Sequence, residues 1–168
     1  VAYDVARTVR RQIAYDAART AARLVGAGRV HLVSLETLDE MPADTVEILE
    51  GDEEGVERVN GWGPLEIVRD AQGGVTGVRF RRCLRVYDEQ RRFAPLYDDA
   101  DCRTIACDTV LLSVGQMPDL TFLDDGGADI EQARPGWPRT DPRTLASSAP
   151  GVFVAGDLAH GTRLLIDA

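Results

Sequence analysis

The stretch Val152-Phe153-Val154-Ala155-Gly156-Asp157 predicts a buried strand that ends in a Gly-Asp turn. In open α/β sheets, ligands bind at the carboxyl ends of the strands. Gly156 would let a ligand approach the backbone closely, and Asp157 would offer a carboxylate to hydroxyl groups. Residues 158–166 are typical of a loop that becomes a helix, whose first turn presents free N–H groups. A core strand followed by an ordinary Gly-Asp turn remains the alternative.

Composition and charge are those of an ordinary globular protein and exclude some partners. The chain has 168 residues, enough for one large domain or two incomplete ones, and 44% of them are hydrophobic. The net charge of −9 argues against a nucleic-acid partner, because phosphate binding requires a basic surface. No apolar run approaches the length of a membrane span and no signal peptide is recognisable, so we expect a cytoplasmic protein without a membrane partner.

Cysteine and histidine spacing does not support a metal or disulfide centre. Cys83, Cys102 and Cys107 form no C-x-x-C pair, so neither a redox-active disulfide nor a four-cysteine metal site is predicted. We expect reduced thiols. The two histidines, His31 and His160, are too few and too far apart to indicate a metal site.

The N-terminal segment combines a helical pattern, a glycine turn, a strand and an acidic residue. Apolar side chains recur at i, i+4 spacing over residues 1–25, which predicts a helix that Gly26 and Gly28 end. Residues 29–36 predict a strand that finishes at Glu36. Helix, turn, strand and terminal acid form the second half of a nucleotide-binding βαβ unit.

A duplication within this segment sets the spacing of the predicted unit. Residues 2–8 return as residues 14–20, and on an ideal helix the two copies are offset by ~120°. Ala2 could hold the last small position of a G-x-G-x-x-A turn, in which case Glu36 follows 34 positions later. Without the twelve-residue duplication the spacing is 22, close to the ~20 residues expected between such a turn and the acidic residue. Glu36 would then bind a ribose 2′-OH and repel a 2′-phosphate, which favours NAD. A solvated charge after a strand is the alternative.

The middle of the chain predicts one short helix and then strands. Residues 43–55 predict an acidic helix, whose charges we interpret as a solvated face. Residues 63–69 and 75–87 predict strands of an antiparallel meander. Residues 88–103 predict an acidic, irregular hairpin region.

Three arginines share one side of the longer predicted strand, Arg79, Arg81 and Arg85. They could form a surface for an anionic partner. The polar outer face of an antiparallel sheet is the favoured interpretation, because such faces are ordinarily charged.

Two glycine-ended strands together carry a family resemblance. Residues 108–114 predict a buried strand, which leads into Gly115-Gln116-Met117-Pro118-Asp119. The second motif is Thr144, a short spacer, the strand at 152–155 and then Gly156-Asp157. In this order they resemble the pyridine nucleotide-disulfide oxidoreductase superfamily, flavoproteins with two dinucleotide-binding domains. For each motif alone, a turn after a core strand is the alternative.

A narrower resemblance comes from the segment Val30–Ala43, which contains Glu40-Met41-Pro42-Ala43. It resembles the small (beta) subunit of glutamate synthase and its relatives, including the flavin-domain part of dihydropyrimidine dehydrogenase. In the NADPH-using members, basic residues follow the strand at this point. This chain has Ser34-Leu35-Glu36-Thr37 instead, a departure that favours NADH.

The resemblance implies an α/β fold in two parts. Residues 1–114 would form a partial Rossmann-type NAD(P)-binding domain, a parallel sheet plus an antiparallel meander, without its first strand and glycine turn. Residues 115–168 would form the C-terminal return segment of a second, FAD-binding Rossmann-like domain. The chain begins without Met inside a helical pattern, so we expect a C-terminal fragment that is inactive by itself.

The function implied by the resemblance is hydride transfer between NAD(P)H and FAD, with NADH favoured. Electrons would then pass to iron–sulfur centres outside this chain or to a redox partner subunit or domain. No catalytic side chain is assigned, because hydride transfer depends on orienting two cofactors. The residues expected to bind cofactor are Ala2, Glu36, Gly115, Gly156, Asp157, Gly161, Thr162, Arg163 and Leu164.

Two other functions remain open. The chain could be a non-catalytic nucleotide-binding or scaffold subunit of a redox complex, although Gly115, Gly156 and Asp157 are intact. A disulfide reductase is disfavoured by the missing C-x-x-C pair. His160 follows Asp157 closely, but a proton-transfer role for it is disfavoured as well.

Overall fold

The computed structural model describes residues 2–4, 12–41, 43, 45–114, 118–121, 129–134 and 136–160. They fall into two compact units, residues 1–115 and residues 116–168, and each is described by itself. The elements of the first unit are β1 (Ala2–Asp4), α1 (Gln12–Val25), β2 (Val30–Ser34), α2 (Thr45–Glu53), β3 (Val56–Asn60), β4 (Trp62–Arg69), β5 (Val75–Tyr87), β6 (Phe93–Ala106) and β7 (Leu111–Leu112). Those of the second unit are β8 (Gln132–Arg134), β9 (Trp137–Pro138) and α3 (Asp157–His160).

A parallel sheet forms the centre of the first unit, with strand order β3-β2-β1-β7. β1 pairs with β2 on one side and with β7 on the other, in both cases parallel. The sequence predicts a sheet without its first strand, whereas Ala2–Asp4 occupies that place. This order is that of one half of a nucleotide-binding α/β fold.

The predicted helix over residues 1–25 is wrong at its beginning, because Ala2–Asp4 is a strand. The described helix α1 spans Gln12–Val25. The second copy of the duplicated segment lies in α1 and buries Ala14, Tyr15 and Ala18, whereas Ala2–Asp4 of the first copy is a strand. The ~120° offset between the copies explains this, since one helix cannot turn both apolar faces to the same sheet. Strand pairing on both sides of Ala2–Asp4 outweighs its local helical pattern. The predicted C-terminal end is confirmed at Gly26, where φ is +99°.

Both faces of β2 are covered, as is usual for parallel strands. Val30 and Leu32 of β2 pack against α1 in one cluster that also contains Tyr15 and Met41. On the opposite side, Val33 packs in a cluster with residues of the antiparallel β4-β5-β6 sheet, here called the meander. β2 is thus buried between a helix and the meander.

The helix predicted over residues 43–55 forms at Thr45–Glu53, but its acidic residues do more than face solvent. Arg19 of α1 lies 2.6–3.4 Å from carboxylate oxygens of Glu47, Glu50 and Glu54, and Arg23 joins it at Glu54. Hydrogen bonds from Arg23 and then Arg19 lower the pKa of Glu54 to about 2. The acidic run therefore ties α2 to α1.

The meander confirms two predicted strands and corrects the third region. β4 and β5 form where expected, whereas residues 88–103 belong largely to the 14-residue strand β6 instead of an irregular hairpin. Among the described strands, β6 pairs with β5 alone and lies at the edge of its sheet. An edge strand tolerates Pro95 and several acidic side chains, which made this segment look irregular in sequence.

β7 is shorter and more exposed than the buried strand predicted over residues 108–114. It contains only Leu111 and Leu112, and Leu112 is 67% exposed. In the described sheet β7 lies at the edge and pairs only with β1, so the apolar residues of this segment lack a partner strand on their other side.

Candidate functional site

Glu36 lies two residues beyond β2, close to where the sequence places the terminal acid. It is 0% exposed, and its backbone carbonyl accepts hydrogen bonds from Gly61 N at 3.0 Å and from the Ser34 hydroxyl at 3.2 Å. A fully buried carboxylate is not presented to a ribose in this conformation. The structure therefore gives no support to the role predicted for Glu36 in binding a ribose 2′-OH.

Ala2 is not at the end of a glycine turn, as the spacing predicted. It lies in β1, where its Cα is opposite Leu32 of β2 and Leu111 of β7. The 34-position argument therefore places Ala2 in the wrong element, because the duplicated copy at residues 14–20 occupies the helix instead. Contact of this strand with a coenzyme remains a prediction.

Gly115 lies outside the described residues, and the motif that it begins resumes at Pro118. The side chain of Asp119 accepts hydrogen bonds from the hydroxyl and the backbone N of Thr121, at 2.7 and 3.1 Å. These hydrogen bonds lower the pKa of Asp119, and the bond from the Thr121 hydroxyl has the larger effect. Asp119 is thus engaged in a local turn at the start of the second unit.

The segment Val152–Ala155 does not form the buried strand that the sequence predicts. It makes one antiparallel bridge, Ala146 to Phe153, and Phe153 is 66% exposed while Val154 is buried. Backbone bonds from Ser147 N to Val152 O and from Val154 N to Leu145 O fix its path. Without a neighbouring strand among the described residues, alternation leaves half of its apolar side chains exposed.

Gly156 and Asp157 nevertheless form the turn that the motif predicts. Gly156 has φ of +64°, and a Cβ added to it would meet no atom within 4 Å. The left-handed backbone therefore favours glycine at this position, and open space lies beside it. Asp157 is exposed at the first position of α3. Gly161, Thr162, Arg163 and Leu164 lie outside the described residues.

The described part of the chain contains no group of three His, Cys, Asp or Glu residues arranged to hold a metal ion. Cys83, Cys102 and Cys107 are free thiols. Burial raises the pKa of the Cys83 thiol, which makes it a poor nucleophile. Among the described residues, no helix has both the length and the apolar character that crossing a membrane requires.

An apolar cleft of about 400 Å³ lies in the first unit beside β7. Its walls come from β4 and from the segment around β7, and they are almost wholly aliphatic. Its described lining contains none of the residues that the sequence predicts to bind cofactor.

Sequence reasoning missed a cationic cluster in the meander. The guanidinium carbons of Arg82 and Arg103 lie 5.3 and 5.1 Å from the ring centroid of Trp62. The strand register brings these residues together, and no local spacing in the sequence indicates it.

Comparison with known proteins identifies the class, although no family model matches the chain. A thioredoxin reductase from T. acidophilum superposes with a TM-score of 0.68 at 21% identity, over 96% of this chain and 45% of that one. A thioredoxin reductase from Lactococcus lactis gives 0.63 at 19% identity, over 94% and 44%. At these identities the likeness shows the fold alone, which the chain shares with part of a thioredoxin reductase.

Curated sequences narrow the class. The chain is 35% identical to the NADP(+)-dependent formate dehydrogenase subunit beta of Moorella thermoacetica, over 100% of this chain and 22% of that protein. It is 33% identical to the glutamate synthase [NADPH] small chain of Azospirillum brasilense, over 98% of this chain and 31% of that protein. It is also 32% identical to the NADPH-Fe(3+) oxidoreductase subunit beta of Geobacter sulfurreducens, over 81% and 23%.

The family resemblance drawn from the sequence is confirmed by these matches. The chain has the pyridine nucleotide-disulfide oxidoreductase fold, and its homologues are beta subunits and small chains of nicotinamide-linked oxidoreductases. It spans about a fifth to a third of the length of these relatives. All three carry NADP(+) or NADPH in their names, so the predicted preference for NADH gains no support.

Proposed function

We propose that this chain is part of an FAD-dependent oxidoreductase that moves a hydride between NAD(P)H and FAD. The observation that carries the proposal is homology over 81–100% of the chain to three nicotinamide-linked oxidoreductase subunits. When bound, FAD supplies the chemistry that links two-electron hydride transfer to one-electron donors and acceptors. The residues of the chain bind and orient the two cofactors.

The second unit fits a flavin at the Gly156–Asp157 turn. The open space beside Gly156 admits close approach of a ligand to the backbone, and the exposed Asp157 carboxylate can accept hydrogen bonds from hydroxyl groups of a ribityl chain. Gly115 and the segment 161–164 would contribute from outside the described residues.

The coenzyme proposed here is NADPH. The case for NADH rests on an exposed Glu36 and on the missing basic residues after β2, but Glu36 is buried. The names of the three relatives supply the case for NADPH. β1 and β2 would hold the coenzyme at their carboxyl ends, as in other nucleotide-binding sheets.

Electrons would pass from the flavin to iron–sulfur centres or a partner subunit. Two of the relatives are named as beta subunits, which indicates that they act in assemblies. The described residues include no cluster of metal ligands. The acceptor would then lie elsewhere in the polypeptide or in another subunit.

The test is an absorption spectrum of the full-length protein, recorded before and after anaerobic addition of NADPH or NADH. We expect flavin bands that bleach, at lower concentrations of NADPH than of NADH. Bleaching at lower concentrations of NADH than of NADPH would support the proposed oxidoreductase activity and overturn the proposed preference for NADPH. Absence of flavin bands after reconstitution with FAD would overturn the proposal and favour the non-catalytic subunit.

A further inference from the structure

Hydrogen bonds join the carboxyl ends of β2 and β3. The side-chain amide of Asn60, the last residue of β3, donates to the Ser34 hydroxyl at 3.0 Å. Gly61 N then donates to Glu36 O at 3.0 Å, so the residue after β3 is bound to the turn after β2. A ribose held at the end of β2 would lie next to this junction.

Arg82 reaches this junction from the meander. Its guanidinium carbon lies 3.5 Å from the position of a Cβ built on Gly61, and Cys83 N donates to Gly61 O at 2.9 Å. In the antiparallel pairing of β4 and β5, Arg82 is opposite Trp62, the residue that follows Gly61. The guanidinium of Arg82 is therefore fixed beside the ends of β2 and β3 by backbone pairing.

Arg103 brings a second positive charge to the same indole. Trp62 is only 9% exposed, and both guanidinium carbons lie within 5.3 Å of its ring centroid. Stacking on an aromatic ring holds a guanidinium in place while leaving its N–H donors available at the ring edge. Among the described residues neither arginine takes part in an ion pair. Asp98, opposite Arg82, accepts a hydrogen bond from Ala100 N instead.

Arg82 and Arg103 place two positive charges on one indole in a chain whose net charge is −9. Other arginines of this chain, such as Arg19, Arg58 and Arg81, do have carboxylate partners. Arginine binds phosphate through paired N–H donors, so this cluster has the chemistry of a phosphomonoester site.

We propose that Arg82 and Arg103 bind the 2′-phosphate of NADPH. The inference rests on the proposed function. The two arginines supply the positive charge that the segment Ser34-Leu35-Glu36-Thr37 lacks. They supply this charge from the meander instead of from the turn after β2. The cluster is a specificity determinant, because NADH has no 2′-phosphate to contact it.

The test compares Arg82→Gln and Arg103→Gln in the full-length protein with Arg79→Gln as the matched control. Arg79 lies on the same strand, is exposed, and is 3.6 Å from Glu66. Each protein is titrated with 2′-AMP and with 5′-AMP by calorimetry, and flavin bleaching is measured against NADPH and NADH concentration. Thermal unfolding checks that each variant is folded.

We expect Arg82→Gln to weaken 2′-AMP and NADPH binding by about tenfold or more, the loss of a charge-assisted contact. Binding of 5′-AMP and NADH should change by no more than about twofold, as should every ligand with Arg79→Gln. Arg103→Gln should likewise weaken the binding of 2′-AMP and NADPH. This variant keeps the test valid if Arg82→Gln does not fold.

Equal losses for 2′-AMP and 5′-AMP, or no loss in either variant, would overturn the inference. Either result leaves the proposed function standing as long as the wild-type flavin bleaches. A wild-type protein whose flavin bleaches with neither coenzyme would instead overturn the proposed function itself. The failures of the two proposals are therefore distinguishable.

Discussion

Glu36 and Asp157 each follow a segment that the sequence predicts as a strand, and their side chains differ in burial. Glu36 follows β2, which has partners on both sides, and is 0% exposed. Asp157 follows Val152–Ala155, which makes a single bridge, and is exposed. The residues that follow a strand with two partner strands and two covered faces are buried with it. The residues that follow a segment with little pairing remain exposed to solvent. A strand-end acid therefore indicates a ligand site only where the surrounding sheet leaves it accessible.

The largest expected effect is on the packing that buries the β2 region. Tyr15 of α1 is fully buried beside Gly51 of α2, and its hydroxyl lies 3.6 Å from Met41 Sδ. Tyr15→Ala should lower the free energy of unfolding by about 3–5 kcal/mol, as large-to-small changes of aromatic residues do. Phe153→Ala, at an exposed position, should change it by less than about 0.5 kcal/mol. Urea unfolding measures both, and comparable losses would break the comparison.

A smaller effect is expected where α2 contacts the Tyr15 ring. A Cβ added to Gly51 would lie 2.7 Å from Tyr15 Cε1, so Gly51→Ala should destabilise by about 1–3 kcal/mol through overpacking. The same substitution in a Tyr15→Ala background should carry no such penalty, because the ring is gone. A double-mutant cycle by urea unfolding measures this coupling, and additive effects would contradict the packing described.

The ion pairs between α1 and α2 predict a pH dependence. Arg23 and Arg19 lower the pKa of Glu54 from 4.5 to about 2. The stabilisation is therefore fully present above pH 4.5 and is lost as the pH falls through about 2. The urea midpoints of wild type and Glu54→Gln should differ at pH 6 and converge near pH 2. A difference that does not change between pH 6 and pH 2 would show that another interaction is responsible.

The smallest effect is expected at Glu36 itself. Because its carboxylate is buried, Glu36→Gln should leave the ratio of NADH to NADPH affinity of the full-length protein within about twofold of wild type. Flavin bleaching against coenzyme concentration measures the ratio, after normalisation to the folded fraction. A shift of tenfold towards NADPH would restore the role that the sequence predicts for Glu36 and would erase the contrast with Asp157.

Local patterns predicted those parts of the fold that local physics decides. The glycine that ends α1 is one example, since Gly26 adopts a positive φ, and the bounds of β5 are another. Pairing between distant segments decides the rest. Ala2–Asp4 looks helical yet lies between two strands, and the acidic β6 is ordered by its register with β5.

The candidate site divides in the same way. The backbone of Gly156 was predictable, because a Gly-Asp turn has a specific conformational requirement. The burial of Glu36 was not, because it depends on the meander covering β2. The meeting of Arg82 and Arg103 on Trp62 depends on strand register, which no short motif encodes.

The affinity of the full-length protein for FAD tests the contrast between Asp157 and Glu36 most directly. Asp157→Asn should weaken FAD binding by about tenfold or more, because an exposed carboxylate contact is lost. Glu36→Gln, and Asp101→Asn as an exposed control, should leave the dissociation constant within about twofold of wild type. Wild-type affinity in Asp157→Asn, or a loss confined to Glu36→Gln, would contradict the account.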